Sequence, residues 1–160
     1  MGFLSEHRAQ RRDEKEMGLG VWRRAHGRFR RGLDRFHQVL EQIQDTDLQA
    51  AVVPAANELA DLLPRVRALC VAAQAMAPTN DQDIPGSDGG WLNDLHRELS
   101  RAGNDMAQAA ETLALARFRA PGLDPEVARD QRLEAVRRRA EAVGGHVVRG
   151  EALLREHRAS

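Results

Sequence analysis

Apolar residues in this chain recur at alternating steps of four and three, and they do so in four separate stretches. That spacing is the a/d seam of a heptad repeat. It keeps one stripe of a helix turned toward a neighbour over many turns, which a strand with its period of two cannot do. The first stripe is Trp22, His26, Phe29, Leu33, Phe36, Leu40 and Ile43, and the second is Leu48, Val52, Ala55, Leu59, Leu62, Val66, Leu69, Ala73 and Met76. The third runs through Leu92, Leu95, Leu99, Ala102, Met106, Ala109, Leu113 and Ala116. The fourth is Leu133, Val136, Ala140, Val143, Val147, Gly150 and Leu154.

The stripes predict helices over about 20–44, 47–77, 91–119 and 125–157, and punctuation between them sets the boundaries. Thr46-Asp47-Leu48-Gln49 fits a capping box, with the Thr46 hydroxyl as cap. Asp124-Pro125-Glu126 combines an N-cap acid, a first-turn proline and a second acid favoured by the helix dipole. Pro54 and Pro64 fall inside the second helix, but the stripe holds its register through both. They therefore predict one bent element with both prolines on its outer face. Residues 78–90 are rich in Asp, Gly and Pro, and too long for an ordinary bundle turn of about 2–8 residues. They must cross one end of the structure or be mobile. Short turns elsewhere imply antiparallel neighbours. The expected fold is all-α: an antiparallel up-down-up-down four-helix bundle with heptad-like packing over 20–160. Before it lies a polar extension over 1–19, helical or frayed, and removing residues 1–17 should leave stability nearly unchanged.

Composition narrows the class. With 42% hydrophobic residues but only 4% aromatic and no tyrosine, aliphatic and alanine contacts must fill the core. A single cysteine, Cys70, excludes an internal disulfide and suits a reducing compartment. No stretch approaches the ~20 apolar residues that span a bilayer. The first residues lack the basic start and apolar run of a signal peptide, and Glu6 breaks a myristoylation pattern. A cytoplasmic protein is expected.

Formal net charge is zero, but it is unevenly laid out. Residues 1–40 hold ten Arg/Lys against five Asp/Glu, whereas residues 41–110 hold four against eleven. The sharpest pattern lies within the first helix. Trp22-Arg23-Arg24-Ala25-His26-Gly27-Arg28 is echoed by Phe29-Arg30-Arg31-Gly32-Leu33-Asp34-Arg35, each unit two helical turns long. The repeat stacks Arg23, Arg24, Arg28, Arg30, Arg31 and Arg35 along about 20 Å of the face away from the core. Six guanidinium groups in that order suit bidentate capture of carboxylate or phosphate. The competing expectation is a solvated face whose arginines pair with acids of the second and third helices.

Other chemistries fail on spacing. Di-iron bundles need two Glu-x-x-His motifs, and the nearest match is a single Asp34-x-x-His37. Asp81, Asp83 and Gly86 resemble the start of a calcium loop, but Pro85 and Leu92 occupy positions that require ligands. There is no phosphate-binding glycine loop and no nucleophile elbow. Cys70 sits in an apolar run and reads as a buried small hydrophobe. His26, the polar member of the first stripe, reads as a residue satisfied at the core's rim, and nothing directs haem to His26 or His146.

The expected function is a non-enzymatic interaction protein without metal or cofactor that docks an acidic protein surface on the six arginines. Two alternatives remain. One is non-specific binding of nucleic acid or an anionic membrane by the same face, with Phe3, Leu4 and Trp22 as apolar neighbours in the membrane case. The other is an enzyme or cofactor carrier with a site between helices that leaves no sequence trace. A homo-oligomer fits any of them.

Overall fold

In the computed structural model, residues 2–118 and 121–158 are described, and they form five α-helices rather than four. They are α1 (Gly2–Met17), α2 (Val21–Glu41), α3 (Thr46–Met76), α4 (Trp91–Ala116) and α5 (Pro125–Arg158), with a 3-10 turn at Asp88–Gly90 before α4. The four sequence stripes correspond to α2–α5. Every stripe residue is buried except Met76, at the end of α3, which is 43% exposed. The expected end of the third helix at 119 lies outside the described residues, and α4 closes at Ala116.

The fifth helix comes from the polar extension. Its residues 2–12 are exposed, as their composition implies, but its last turn docks. Met17 is wholly buried in the core, and Asp13 and Glu16 both reach Arg67 of α3. Ser5 does not cap α1; it lies within it, donating to the Gly2 carbonyl at 2.9 Å. Indifference to truncation can therefore hold only for the exposed part.

Contacts fix the order of the other helices. α2 packs on α3 and α4, and α5 packs on α3 and α4, so the four close a circuit in the order α2–α3–α5–α4. Along α4 and α5, Gln108 meets Arg139, Asp105 meets His146 and Glu98 meets Arg149, so that pair is antiparallel. By contrast Asp45 meets Arg129 and Arg65 meets Glu151, so α3 and α5 run parallel. α2 and α4 are parallel too: Trp22 meets His96 and Arg28 lies against Gly103. Directions thus alternate along α2–α5, and the connection after α3 crosses the end of the molecule diagonally, which sets the parallel pairs α2/α4 and α3/α5 side by side.

That crossing is pinned rather than loose. Val21 N donates to the Asp81 carbonyl at 2.9 Å and Leu19 N to Asn80 Oδ1 at 3.2 Å, so the loop caps the start of α2 in place of a side chain. A side chain at Gly20 would begin 2.2 Å from the Asp81 carbonyl oxygen, so only glycine admits the loop there.

Two caps test the sequence reading. Asp124 Oδ1 accepts from Glu126 N at 2.9 Å, as expected. At α3, however, Asp45 is the cap, one residue before Thr46. Its Oδ1 accepts from Asp47 N and Leu48 N, both at 3.1 Å. A carboxylate at the positive helix end is favoured over a hydroxyl, and Arg129 and Arg132 of α5 hold it there. Gln49 does not close a box; its Nε2 bonds the Leu40 carbonyl across the turn. α3 runs unbroken through Pro54 and Pro64, both exposed.

Candidate functional site

The two faces of α2 are chemically opposite. Inward, Trp22, Phe29 and Phe36 have no solvent exposure, and they anchor the helix against α3 and α4. Outward, Arg24, Arg28, Arg30, Arg31 and Arg35 are exposed and Arg23 is half-buried. Arg23 pairs with Glu14 of α1 at 3.3 Å. For the other five, no carboxylate lies within 4.0 Å among the described residues. The acids expected to neutralise them are engaged elsewhere. Asp45 and Asp47 face Arg129 of α5, Asp94 pairs within α4, and Glu98 and Asp105 turn to His146. α3 and α4 each present one flank to α5, and Asp47, Glu98 and Asp105 lie on those flanks.

Four of the arginines line two concavities, and Arg24 and Arg31 border both. Arg24, Arg28 and Arg31 line a groove of about 330 Å³ between α2 and α4, whose other walls are Val21, Ala25, His96, Ser100 and, from the crossing loop, Gln82. The Arg28 stem is seated: its Cγ and Cδ lie 3.5 Å from where a side chain at Gly103 would begin. The Arg31 guanidinium lies over Gly27, with Nη1 3.3 Å from the corresponding point. His96 is held edge-on against Trp22, ring centroids 5.9 Å apart. Burial, and then the charge of Arg28, push the His96 imidazole below its ordinary pKa. On the other flank, Arg23, Arg24 and Arg31 border a shallower depression with Glu14, Leu19, Gly20 and Gly27.

No family model, no curated protein and no solved structure matches this chain.

A second polar constellation lies between α4 and α5, and sequence reading missed it. His146 Nδ1 sits 2.7 Å from Glu98 Oε2 and its Nε2 3.0 Å from Asp105 Oδ2, so both contacts are hydrogen bonds only when the ring carries both protons. Arg149 Nε donates to the same Glu98 oxygen at 3.3 Å. Burial works against the Glu98 carboxylate, but hydrogen bonds from His146 and Arg149 outweigh it and hold its pKa below the ordinary value. The signal was present as Glu98 and Asp105 seven apart and His146 and Arg149 three apart. Each pair flanks a stripe, but nothing in the sequence joined them.

The remaining candidates resolve simply. His26 is 7% exposed, and burial foremost lowers its pKa, with Arg67, Arg30 and Arg23 adding to the effect and Asp13 opposing it. Burial pushes the Cys70 thiol up to about 12, so it is no nucleophile. Asp81 turns its carboxylate to Thr79 and Asp83 N within the loop. Among the described residues no group of three or more His, Cys, Asp and Glu could hold a metal ion, and no helix is long and apolar enough to cross a membrane.

Proposed function

We propose that this protein is a non-enzymatic interaction module, in which α2–α5 act as a four-helix bundle scaffold and α1 as a strap. An acidic protein partner docks on Arg23, Arg24, Arg28, Arg30, Arg31 and Arg35, in the cytoplasm. One observation carries the reading: five of these six arginines stand exposed on one packed helix with no carboxylate within 4.0 Å among the described residues, whereas Arg65, Arg67, Arg129, Arg132 and Arg149 are tied to acids of other segments. A fixed row of unneutralised cations repels itself, and an anionic partner relieves that repulsion.

Details of the face favour protein over the alternatives. It carries no aromatic platform on which bases could stack, because its aromatic residues all point inward. Trp22, one of three apolar neighbours that a membrane would use, is wholly buried, and Phe3 and Leu4 lie on the exposed end of α1 instead.

The test measures binding of a labelled polyglutamate peptide, a DNA duplex and anionic vesicles at low and high salt. It compares the native chain with a variant carrying glutamine at all six positions. The expected result is salt-sensitive peptide binding that the variant loses by tenfold or more, with its unfolding free energy within about 0.5 kcal/mol of the native value because exposed charges contribute little to folding. Tighter binding to DNA or vesicles assigns the face to those partners. Equal binding by both chains removes the face from the function.

A further inference from the structure

We propose that the groove between α2 and α4 is a binding site for a phosphate-bearing ligand, held by Arg24, Arg28 and Arg31 with Ser100, His96 and Gln82. The inference deepens the docking reading, on whose arginines it rests, by assigning three of them to a bounded site rather than to an open face.

Several observations converge. Three arginines line one groove of about 330 Å³, and no Asp or Glu lines it. A single carboxylate would leave most of that charge uncompensated, whereas a phosphomonoester or diphosphate offers two or more negative charges and several acceptor oxygens for planar, forked donors. The neutral members are donors as well: a hydroxyl at Ser100, an amide at Gln82 and an imidazole at His96. With the three arginines of α2, these groups come from three separate elements, α2, α4 and the crossing loop. The Arg28 stem lies against α4 at Gly103, its Cγ and Cδ 3.5 Å from where a side chain there would begin. Trp22 orients His96 from beneath. The loop that delivers Gln82 is fastened to the start of α2 through Val21 N and the Asp81 carbonyl.

His96 supplies an internal reporter. Its ring is half-buried and faces Arg28 from α2, with Arg24 and Arg31 lining the same groove and no acid among the lining residues. An anion seated among these charges offsets Arg28, so the ring takes up its proton at higher pH when the site is filled.

The experiment titrates the full chain with inorganic pyrophosphate and, separately, with phosphatidylcholine vesicles with and without phosphatidic acid. Binding is followed by calorimetry and the His96 ring proton by NMR across pH. The native chain is expected to bind and to show the upward His96 shift. Arg28→Gln and Ser100→Ala are each expected to weaken binding, roughly tenfold for the charged contact and less for the hydroxyl. The triple variant Arg23→Gln, Arg30→Gln, Arg35→Gln, which spares the groove, is expected to bind pyrophosphate within about twofold of native and to bind acidic peptide less well. Pyrophosphate binding identifies a soluble phosphate source, and vesicle binding dependent on phosphatidic acid and on Arg28 identifies a lipid headgroup. No binding of either probe, or binding that the triple variant loses and Arg28→Gln does not, overturns the groove. Peptide binding that survives in the first of those cases leaves the docking reading standing alone.

Discussion

The outer face of α2 and the flank shared by α4 and α5 are built from the same kinds of residue and come out differently. On the α4–α5 flank, cations and acids meet: His146 bridges Glu98 and Asp105, and Arg149 joins Glu98; on the other side of α5, Arg129 and Arg132 reach Asp45, the cap of α3. On α2, arginines stand in rows and only Arg23 finds an acid. The difference lies in the neighbours. Both helices pack on α3 and α4, but the α5 cations Arg129, Arg132 and Arg149 sit where Asp45, Asp47 and Glu98 come within reach, whereas no helix lies over the outer face of α2, which is met at one edge by the last turn of α1. An arginine row is therefore structural where a neighbouring helix supplies acids and available for binding where none does.

If that contrast is real, cutting the neutralised flank should cost most. His146→Ala leaves two mostly buried carboxylates without their shared donor, and we expect a loss of about 3 kcal/mol in urea denaturation. A loss below about 1 kcal/mol would place that flank on the same footing as the open face. Deleting residues 2–17 removes buried Met17 and both acids that hold Arg67, for an expected loss of about 2 kcal/mol, whereas deleting residues 2–11 should change little. The longer deletion also frees Arg23 from Glu14, so binding of an acidic peptide should strengthen in it and not in the shorter one.

The smallest effect is on pH. Burial, the largest cause in each case, lowers the pKa of His26 and of His96 in the folded chain, so below the ordinary value of 6.5 the unfolded chain takes up protons first. That stability is fully present above about pH 6.5 and is lost as pH falls toward the lowered folded values. Melting temperature should drop between pH 7.5 and 5.5, and less so in His26→Gln. Glu98, Asp45 and Glu151, whose pKa values are lowered from ordinary carboxylate values, act only in more acidic solution and leave that window to the histidines. An unchanged melting temperature across the window would show that neither ring resists protonation when folded.

Much of the architecture was legible because heptad spacing is a local property. Trp22, Phe29, Phe36, Leu59, Leu95 and Val143 were placed in the core from period alone, and all are buried. Asp124 was readable as a cap because its proline and acid follow directly. Asp45 was misjudged by one residue, since the arginines that hold it come from a helix some eighty positions away. α1 was underestimated because polar composition conceals one docking turn, and the buried contact of that turn rests on the single residue Met17.

The arginine rows were likewise fixed by sequence: a seven-residue repeat on a helix puts equivalent residues on one face whatever the partner helices do. Whether those rows would be neutralised was not. That depended on which helices became neighbours, and so on the diagonal crossing of residues 77–87 that sets α2 beside α4 and turns the acids of α3 and α4 toward α5. The same crossing brought Gln82, His96 and Ser100 to the arginines and joined His146 to Glu98. Periodicity determines which residues face inward and which face outward. Only the packed circuit determines what each outward residue meets, because those meetings join residues tens of positions apart that no local repeat connects.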